Sequence, residues 1–212
     1  RILADGRGSF EAAAACAWLS EPGRTDAADQ STSCDLLPII DSWPRLPFHL
    51  RRVAENLERS ASAVLGDSRS RHIDEIAFRK AVLAGYPDRV AKRRKGSTDA
   101  VTLATGHGAV MGRESGVRDG EWLVALDVTA SVRLTTAAKA TVVKKADATE
   151  ATVRAACRIE PEWLTPTRSD VVHRIDATTG VVRAHATDWY DALVLRERPV
   201  PIDPAIAAPL LA

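Results

Sequence analysis

The sequence predicts an α+β protein, with helices in its N-terminal half and short strands in its C-terminal half. Up to about residue 95, apolar residues recur at helical spacing, and prolines or polar segments separate the runs. Beyond Gly96 the apolar segments are short, rich in β-branched residues or alternating, and bounded by glycines and polar turns. Such a strand-rich half predicts a small β-barrel or a sandwich.

Length and composition are those of a globular protein. The chain has 212 residues, of which 45% are hydrophobic and 27% charged, which is ordinary and sufficient for two small domains. It contains no apolar run long enough to span a membrane and no signal-peptide pattern, so we expect a cytoplasmic protein without a membrane partner. Because it begins at Arg1 and runs at once into a helical pattern, we expect it to be part of a longer polypeptide.

The first helix is predicted by the segment "FEAAAACAWLS" at residues 10–20. Phe10, Ala14 and Trp18 fall on one helical face, and Ser9 is a suitable N-cap. The polar segment that follows, at residues 24–34, predicts an exposed loop.

Further helical segments are predicted up to the centre of the chain. The segment "CDLLPIIDSWPRLPF" is interrupted by prolines, which predicts only short helical turns. After Pro47, apolar residues at helical spacing predict a helix to about residue 65. Another helix is expected at residues 73–83, and Pro87 suits the first turn of a last short helix. We therefore expect the first 95 residues to be helical.

The strand-like segments lie between residues 100 and 200. They read "AVTLATGHGAVMG", "EWLVALDV", "ATVRAACRI", "DVVHRIDATTGVVRAHAT" and "DALVLRERPV". Thr178, Thr179 and Gly180 predict a hairpin turn, and the Gly106-His107-Gly108 stretch predicts a tight turn between two strands. The segment "EPEWLTP" predicts one helical turn, and the proline-rich residues 201–212 predict a tail on the surface.

Positive charge is concentrated at residues 79–95. This stretch contains seven Lys or Arg residues and one Asp, or 7 − 1 = +6, whereas the whole chain sums to 29 − 28 = +1. One or two cations near a helix C-terminus stabilise the helix, but five within residues 89–95 exceed that need. Such clustering is typical of phosphate binding.

The sequence contains no catalytic constellation. It has no G-x-x-x-x-G-K-[ST] loop, so "DEIA" at residues 74–77 is interpreted as paired acids on an exposed helix. The glycines at 106, 108 and 112 have the wrong spacing for a dinucleotide fingerprint, and "GRESG" lacks a central serine. Cysteines and histidines have no metal-ligand spacing. Trp18 and Trp122 are expected in the core.

Six segments, in this order, resemble the C-terminal part of bacterial DEAH-box ATP-dependent helicases of the HrpB type. They are "RILADGRGSFEAAAACAWLSE", "AGYPDRVAKRR", "LATGHGAVMG", "EWLVALDV", "IEPEWLTP" and "DALVLRERPVP". The resemblance covers most of the chain. In the glycine turn, the family often has an asparagine before the first glycine and an arginine between the two glycines, where this chain has Thr105 and His107.

The resemblance implies a domain organisation. Residues 1–95 would form a ratchet-like helical bundle, residues 96–200 an OB-like β-domain with a family-specific extension, and residues 201–212 a tail. RecA-like motor domains would precede this chain in the same polypeptide and would bind ATP and Mg. The chain itself would need no cofactor and would not hydrolyse ATP alone.

The favoured function is an accessory module that binds single-stranded nucleic acid, RNA rather than DNA, and guides it through a helicase. Residues expected to meet phosphates are Arg89, Lys92, Arg93, Arg94 and Lys95, with His107 and Arg113 as further loop contacts. The first alternative is a protein-interaction or scaffolding module in which the basic segment docks an acidic partner. An independent enzyme is the last alternative, because no catalytic constellation is present.

Overall fold

The computed structural model describes residues 1–7, 9–21, 30–65, 73–131, 150–176 and 179–211. The helices in these ranges are α1 (Ile2–Asp5), α2 (Phe10–Leu19), α3 (Leu37–Asp41), α4 (Phe48–Leu65), α5 (Glu75–Gly85) and α6 (Pro204–Leu211). The strands are β1 (Val90–Arg93), β2 (Ala100–Leu103), β3 (Gly108–Met111), β4 (Trp122–Ser131), β5 (Glu150–Ile159), β6 (Arg168–Ile175), β7 (Val182–Tyr190) and β8 (Leu193–Val200). The predicted α+β class is confirmed. No helix in the described ranges has the length and hydropathy of a membrane span.

Helix α2 lies at the centre of the helical part. Ser9 caps it as predicted, with its Oγ accepting a hydrogen bond from the Ala12 N–H at 3.2 Å. The buried surface of α2 is wider than the single apolar face that the sequence predicts, because the alanines at 12–15 and 17 are buried all around the helix. Alanine side chains let α2 pack closely against α4 and leave room for the edge-to-face contact of Phe10 with Trp43, at 5.5 Å between centroids.

The two helices predicted between Pro47 and Leu83 are confirmed. The helix after Pro47 is α4, and the helix expected at residues 73–83 is α5, capped by Asp74, which accepts from the Ala77 N–H at 2.8 Å. The proline-interrupted segment forms α3 and one 3₁₀ turn at Trp43–Arg45. Most of the loop predicted at residues 24–34 lies outside the described residues.

Strands β1 to β5 form a closed barrel in the order β1-β2-β3-β5-β4. All neighbours are antiparallel except β3 and β5, which are parallel. Small and β-branched side chains fill the interior, as the alternation along the strands predicts. They are Ala91, Val101, Ala109, Val117, Leu123, Ala125, Val153 and Ala156.

The expectation that the first 95 residues are helical is wrong at β1. Pro87–Arg89 forms a 3₁₀ turn rather than a last short helix, and Val90–Arg93 is a strand. The reason is tertiary, because these four residues pair with β2 on one side and β4 on the other. Such pairing overrides the weak local preference of a charged segment.

Strands β6, β7 and β8 form a separate three-stranded antiparallel sheet. The predicted hairpin joins β6 to β7, with Gly180 at φ 67°, although Thr178 lies outside the described residues. The tail predicted from prolines contains α6, which packs against β6 and β7 and buries Ala207. Asp203 precedes this helix and accepts a hydrogen bond from the Ala205 N–H at 2.9 Å. Pro204 is the first residue of α6, where a proline is favourable because its missing N–H would have no partner within the helix.

A shared core joins the helices to the barrel. Phe78 and Val82 of α5 pack against outward-facing residues of β4 and β5, including Trp122, which is 2% exposed and confirms its predicted core position. Tyr190 of the second sheet enters the same core, and its hydroxyl donates to the Pro87 carbonyl at 2.7 Å. One core therefore holds helices, barrel and second sheet together.

Asp35 attaches the segment before α3 to the barrel. Its carboxylate accepts hydrogen bonds at 2.7 Å from the Ala156 N–H, the Gly116 N–H and the Ser115 hydroxyl. Burial raises the pKa of the Asp35 carboxyl above its ordinary value, and these hydrogen bonds partly offset the rise. The Asp35 N–H also donates to the Ala156 carbonyl at 2.9 Å, and Cys34 forms an isolated antiparallel bridge with Cys157 of β5.

Replacing Asp35 with alanine is expected to lower the free energy of unfolding by about 3 kcal/mol, because three buried donors lose their acceptor. Urea unfolding followed by circular dichroism measures the change. The matched control is Asp41→Ala at the exposed end of α3, for which we expect a change within about 0.5 kcal/mol. Equal effects of the two substitutions would contradict this role of Asp35.

Candidate nucleic-acid interface

Residues 89–95, the basic segment, lie on β1 and its two flanks. Neighbouring side chains on the strand point in opposite directions. Lys92 points away from the barrel interior and towards the second sheet. Its Nζ donates to the Val194 carbonyl at 2.7 Å, lies 3.2 Å from the Glu121 carboxylate and sits 4.6 Å from the centroid of the Trp122 ring. Lys92 thus joins β1 to β8.

Arg93 closes one end of the barrel. Its guanidinium donates to the carbonyls of Gly120 at 2.9 Å and Val117 at 2.7 Å, and also to the Thr98 carbonyl. Burial lowers the pKa of Arg93, and the nearby carboxylates of Asp99 and Asp119 oppose that shift. The side chain is therefore engaged with backbone acceptors at the barrel mouth.

Arg89 is partly engaged in the same way. It precedes β1, and its Nη1 donates to the Leu126 carbonyl of β4 at 2.9 Å. The guanidinium also lies over the Tyr86 ring, 5.0 Å from its centroid. The residue as a whole remains exposed, so its charge still contributes to the surface potential.

Arg94 and Lys95 are exposed at the start of the loop between β1 and β2. The Arg94 Nε donates to the Thr102 hydroxyl at 3.1 Å, and its Nη2 lies over Gly108, where a Cβ would be only 2.5 Å away. Lys95 has no hydrogen bond or ion pair with any residue in the described ranges. These two charges are therefore accessible to a ligand.

His107 and Arg113 are both exposed but lie at opposite ends of the barrel. His107 belongs to the turn between β2 and β3, where Gly106 has φ 85°, as predicted for a tight turn. Its Nδ1 lies 3.1 Å from the Thr105 hydroxyl oxygen. Arg113 follows β3 at the end where Arg94 and Lys95 lie, since β2 and β3 are antiparallel. Arg113 thus lies with Arg94 and Lys95, and His107 does not.

The outer surface of β2 and β3 lies between these two ends. Four residues define this β2–β3 face: Ala100, Thr102, Gly108 and Val110. All have small side chains, and residues 90–121 contain no Phe, Tyr or Trp. Without an aromatic platform, a single strand on this face would be held through its phosphates rather than by base stacking.

Thr102 and Gly108 were missed as candidate residues. The alternation of buried Val101 and Ala109 with less buried neighbours predicts that Thr102 and Gly108 face outwards. It does not predict that they support the Arg94 guanidinium. In the described residues, no group of three or more His, Cys, Asp or Glu side chains could hold a metal ion.

The fold is similar to solved structures of two Escherichia coli helicase chains. One is described as the DExH-box NTPase HrpB, with a TM-score of 0.63 and 18% identity, over 95% of this chain and 22% of that chain. The other is described as the DEAH/RHA helicase HrpB, with a TM-score of 0.62 and 16% identity, over 96% of this chain and 22% of that one. This confirms the resemblance as a likeness of fold, and the chain spans about a fifth of the length of these relatives.

No protein-family model matches the sequence, and the comparison with curated proteins gives no match.

Arg93 and Lys95 are expected to differ in their effect on stability. Arg93→Ala leaves the carbonyls at the barrel mouth without a donor and should lower the free energy of unfolding by about 2 kcal/mol. Arg93→Lys should recover little, because an ammonium cannot reproduce the planar guanidinium fork. Lys95→Ala, the control, should have almost no effect. Thermal unfolding of the three variants tests this, and a stable Arg93→Ala protein would show that the barrel end does not need the guanidinium.

Proposed function

We propose that this chain is an accessory nucleic-acid-binding region of an ATP-dependent DEAH-box helicase of the HrpB type, and that it guides single-stranded nucleic acid. The observation that carries the proposal is the likeness of fold over almost the whole chain to two structures described as HrpB. The exposed cations at one end of the barrel support the contact with nucleic acid.

In this proposal the helices α1 to α5 correspond to the ratchet-like bundle and the barrel to an OB-like domain. A five-stranded barrel supports the second assignment, because OB-folds bind oligonucleotides through the face of their second and third strands and the adjoining loops. Because β1 pairs within the barrel, we place the boundary before Val90. Strands β6 to β8 would be the family-specific extension, with α6 as its tail.

ATP chemistry would belong to RecA-like motor domains in the same polypeptide. The present sequence contains no phosphate-binding glycine loop that could hold ATP and Mg. This chain would therefore contribute binding and guidance, while hydrolysis would take place elsewhere in the protein.

The strand would lie on the β2–β3 face, with its phosphates at Arg94, Lys95 and Arg113. Arg89, Lys92 and Arg93 would add positive potential, although their side chains also have partners within the protein. His107 would meet the strand at the far end of the face. Contacts of this kind are independent of base sequence and weaken steeply with salt, and RNA is the proposed preferred strand.

Reversing the two accessible charges tests the proposal. The double variant Arg94→Glu with Lys95→Glu is expected to bind single-stranded oligonucleotides at least about tenfold more weakly at low salt. The slope of log affinity against log salt should fall in magnitude by about 1.4, or about 0.7 for each lost phosphate contact. Fluorescence anisotropy with a labelled RNA and the equivalent DNA measures both quantities and the preference between them.

The matched control makes the same change of charge on the helical part. Arg45 and Arg52 are exposed there, and Arg45→Glu with Arg52→Glu should leave the salt slope unchanged. Equal affinity of the test and control variants would contradict the assignment of this interface. A wild-type chain that binds no single strand even at low salt would contradict the proposed function itself and favour the protein-interaction alternative.

A further inference from the structure

Strand β6 is an open edge of the second sheet. It pairs with β7 along its whole length without a register shift, and with no other strand of the described part. Residues of an antiparallel strand direct their N–H and C=O groups alternately to its two sides. Among the described residues, the N–H and C=O groups on the outer side of β6 therefore pair with no strand, and they form a template for another strand.

The opposite edge of the sheet is different. Strand β8 contains Pro199, which has no N–H to donate, and it pairs with β7 through a register shift beside Trp189. Proline and irregular pairing are two common means of protecting an edge from further strands. Strand β6 has neither of them.

The charges on one face of β6 are complementary to themselves. Arg168, Asp170, Val172, Arg174 and Asp176 follow one another on this face at every second position. When two copies of β6 are aligned antiparallel about Val172, Arg168 lies opposite Asp176 of the other copy, and Asp170 lies opposite Arg174. Every cation then faces a carboxylate across the strands, which is the favourable arrangement for such pairs.

Neighbouring registers lack this complementarity. Alignment about Asp170 would place two carboxylates opposite each other, and alignment about Arg174 would place two guanidinium groups opposite each other. Like charges directly opposite are unfavourable. A shift of one residue would instead bring together side chains from opposite faces of the sheet. The charge pattern thus selects one register, centred on Val172.

Exposed apolar side chains are concentrated around the same edge. The described part has ten exposed large apolar residues, and six of them lie on β6, on the turn that follows it, or in the segment that contains α6. These six are Val171, Val172, Ile175, Val181, Ile202 and Ile206. Val171 and Ile175 point to one face of the sheet and Val172 to the other, so this edge has exposed apolar side chains on both of its faces.

We propose that a second copy of this chain pairs with β6, so that the two sheets join edge to edge about a two-fold axis. The N–H and C=O groups of the open edge supply the pairing, and the charges of the Val172 face set the register. The ion pair between Arg168 and Asp170, 2.8 Å apart, is exposed, so its rearrangement requires little free energy. The Asp176 carboxylate already lies 3.4 Å from the Arg183 guanidinium and accepts a hydrogen bond from the Thr179 N–H at 3.2 Å, so it would add Arg168 of the second copy to these partners. The inference does not depend on the proposed function.

The test uses two charge-reversed variants, each of which disrupts the pairing with itself. Asp170→Arg places arginine opposite arginine, and Arg174→Asp places aspartate opposite aspartate. We expect wild type to form dimers in sedimentation velocity runs at increasing concentration, and each variant to remain monomeric under the same conditions. Arg198→Asp on the protected edge β8 is the control, and it should dimerise like wild type.

Two complementations then separate the proposed register from general charge effects. The double variant Asp170→Arg with Arg174→Asp restores opposite charges and should dimerise again. An equimolar mixture of the Asp170→Arg and Arg174→Asp variants should form a heterodimer in which both pairs are matched. In an equimolar mixture of Asp170→Arg with Arg198→Asp, which has the same overall charges, the Arg198→Asp copies should dimerise with themselves and the Asp170→Arg copies should stay monomeric. Little heterodimer should form, because Arg174 of the Arg198→Asp copy would lie opposite the arginine introduced at position 170.

Each result of these experiments either supports the proposed dimer or overturns it. Recovery of the dimer in the double variant and in the matched mixture supports the proposal. A wild-type chain that remains monomeric up to about 1 mM, or single variants that dimerise as well as wild type, would overturn it. Circular dichroism of every variant excludes unfolding as the cause of a lost dimer, because all the substituted side chains are exposed or half-buried at the strand edge.

Discussion

The position of the helices on the barrel depends on one buried cation, Arg79. Arg79 is 3% exposed. Its Nε donates to the Arg158 carbonyl at 2.8 Å, and its Nη2 donates to the Glu160 carboxylate at 2.8 Å. Its guanidinium also lies 5.1 Å from the centroid of the Trp163 ring. A buried charge is tolerated only where its hydrogen bonds are replaced. The acceptors stand at the end of β5, so α5 has one favourable position against the barrel.

That packing decides which parts of the barrel remain available to a ligand. The helices cover the outer sides of β4 and β5 near Trp122 and Cys157, and Lys92 connects β1 to the second sheet. Within the described residues, no helix packs extensively against the β2–β3 face, although the turn that follows β2 is hydrogen-bonded to the second sheet through the Ala104 carbonyl and the Ala192 N–H. The location proposed for nucleic acid thus follows from the assembly of the core as much as from the charges at Arg94 and Lys95.

Local signals predicted much of the fold. The cap at Ser9, the prolines before α4 and the alternation in β4 to β8 each depend on neighbouring residues, so the sequence contains them directly. Strand β1 could not be predicted in this way, because its stability comes from pairing with β2 and β4. The candidate site shows the same limit. The charge pattern of residues 89–95 predicts a group of cations, and Arg94 and Lys95 are indeed exposed. It does not predict that Arg93 is bound to backbone carbonyls, because those carbonyls belong to loops distant in the sequence.

The two edges of the second sheet have unequal capacity for growth. Pro199 and the register shift make β8 a poor partner for any strand, so an assembly that uses β6 has no free end to which a third copy could add. Edge pairing in such a sheet ends at two molecules. A higher protein concentration therefore raises the fraction of dimer and does not extend a fibre. A single proline on one strand thereby sets the upper size of any complex formed through the other.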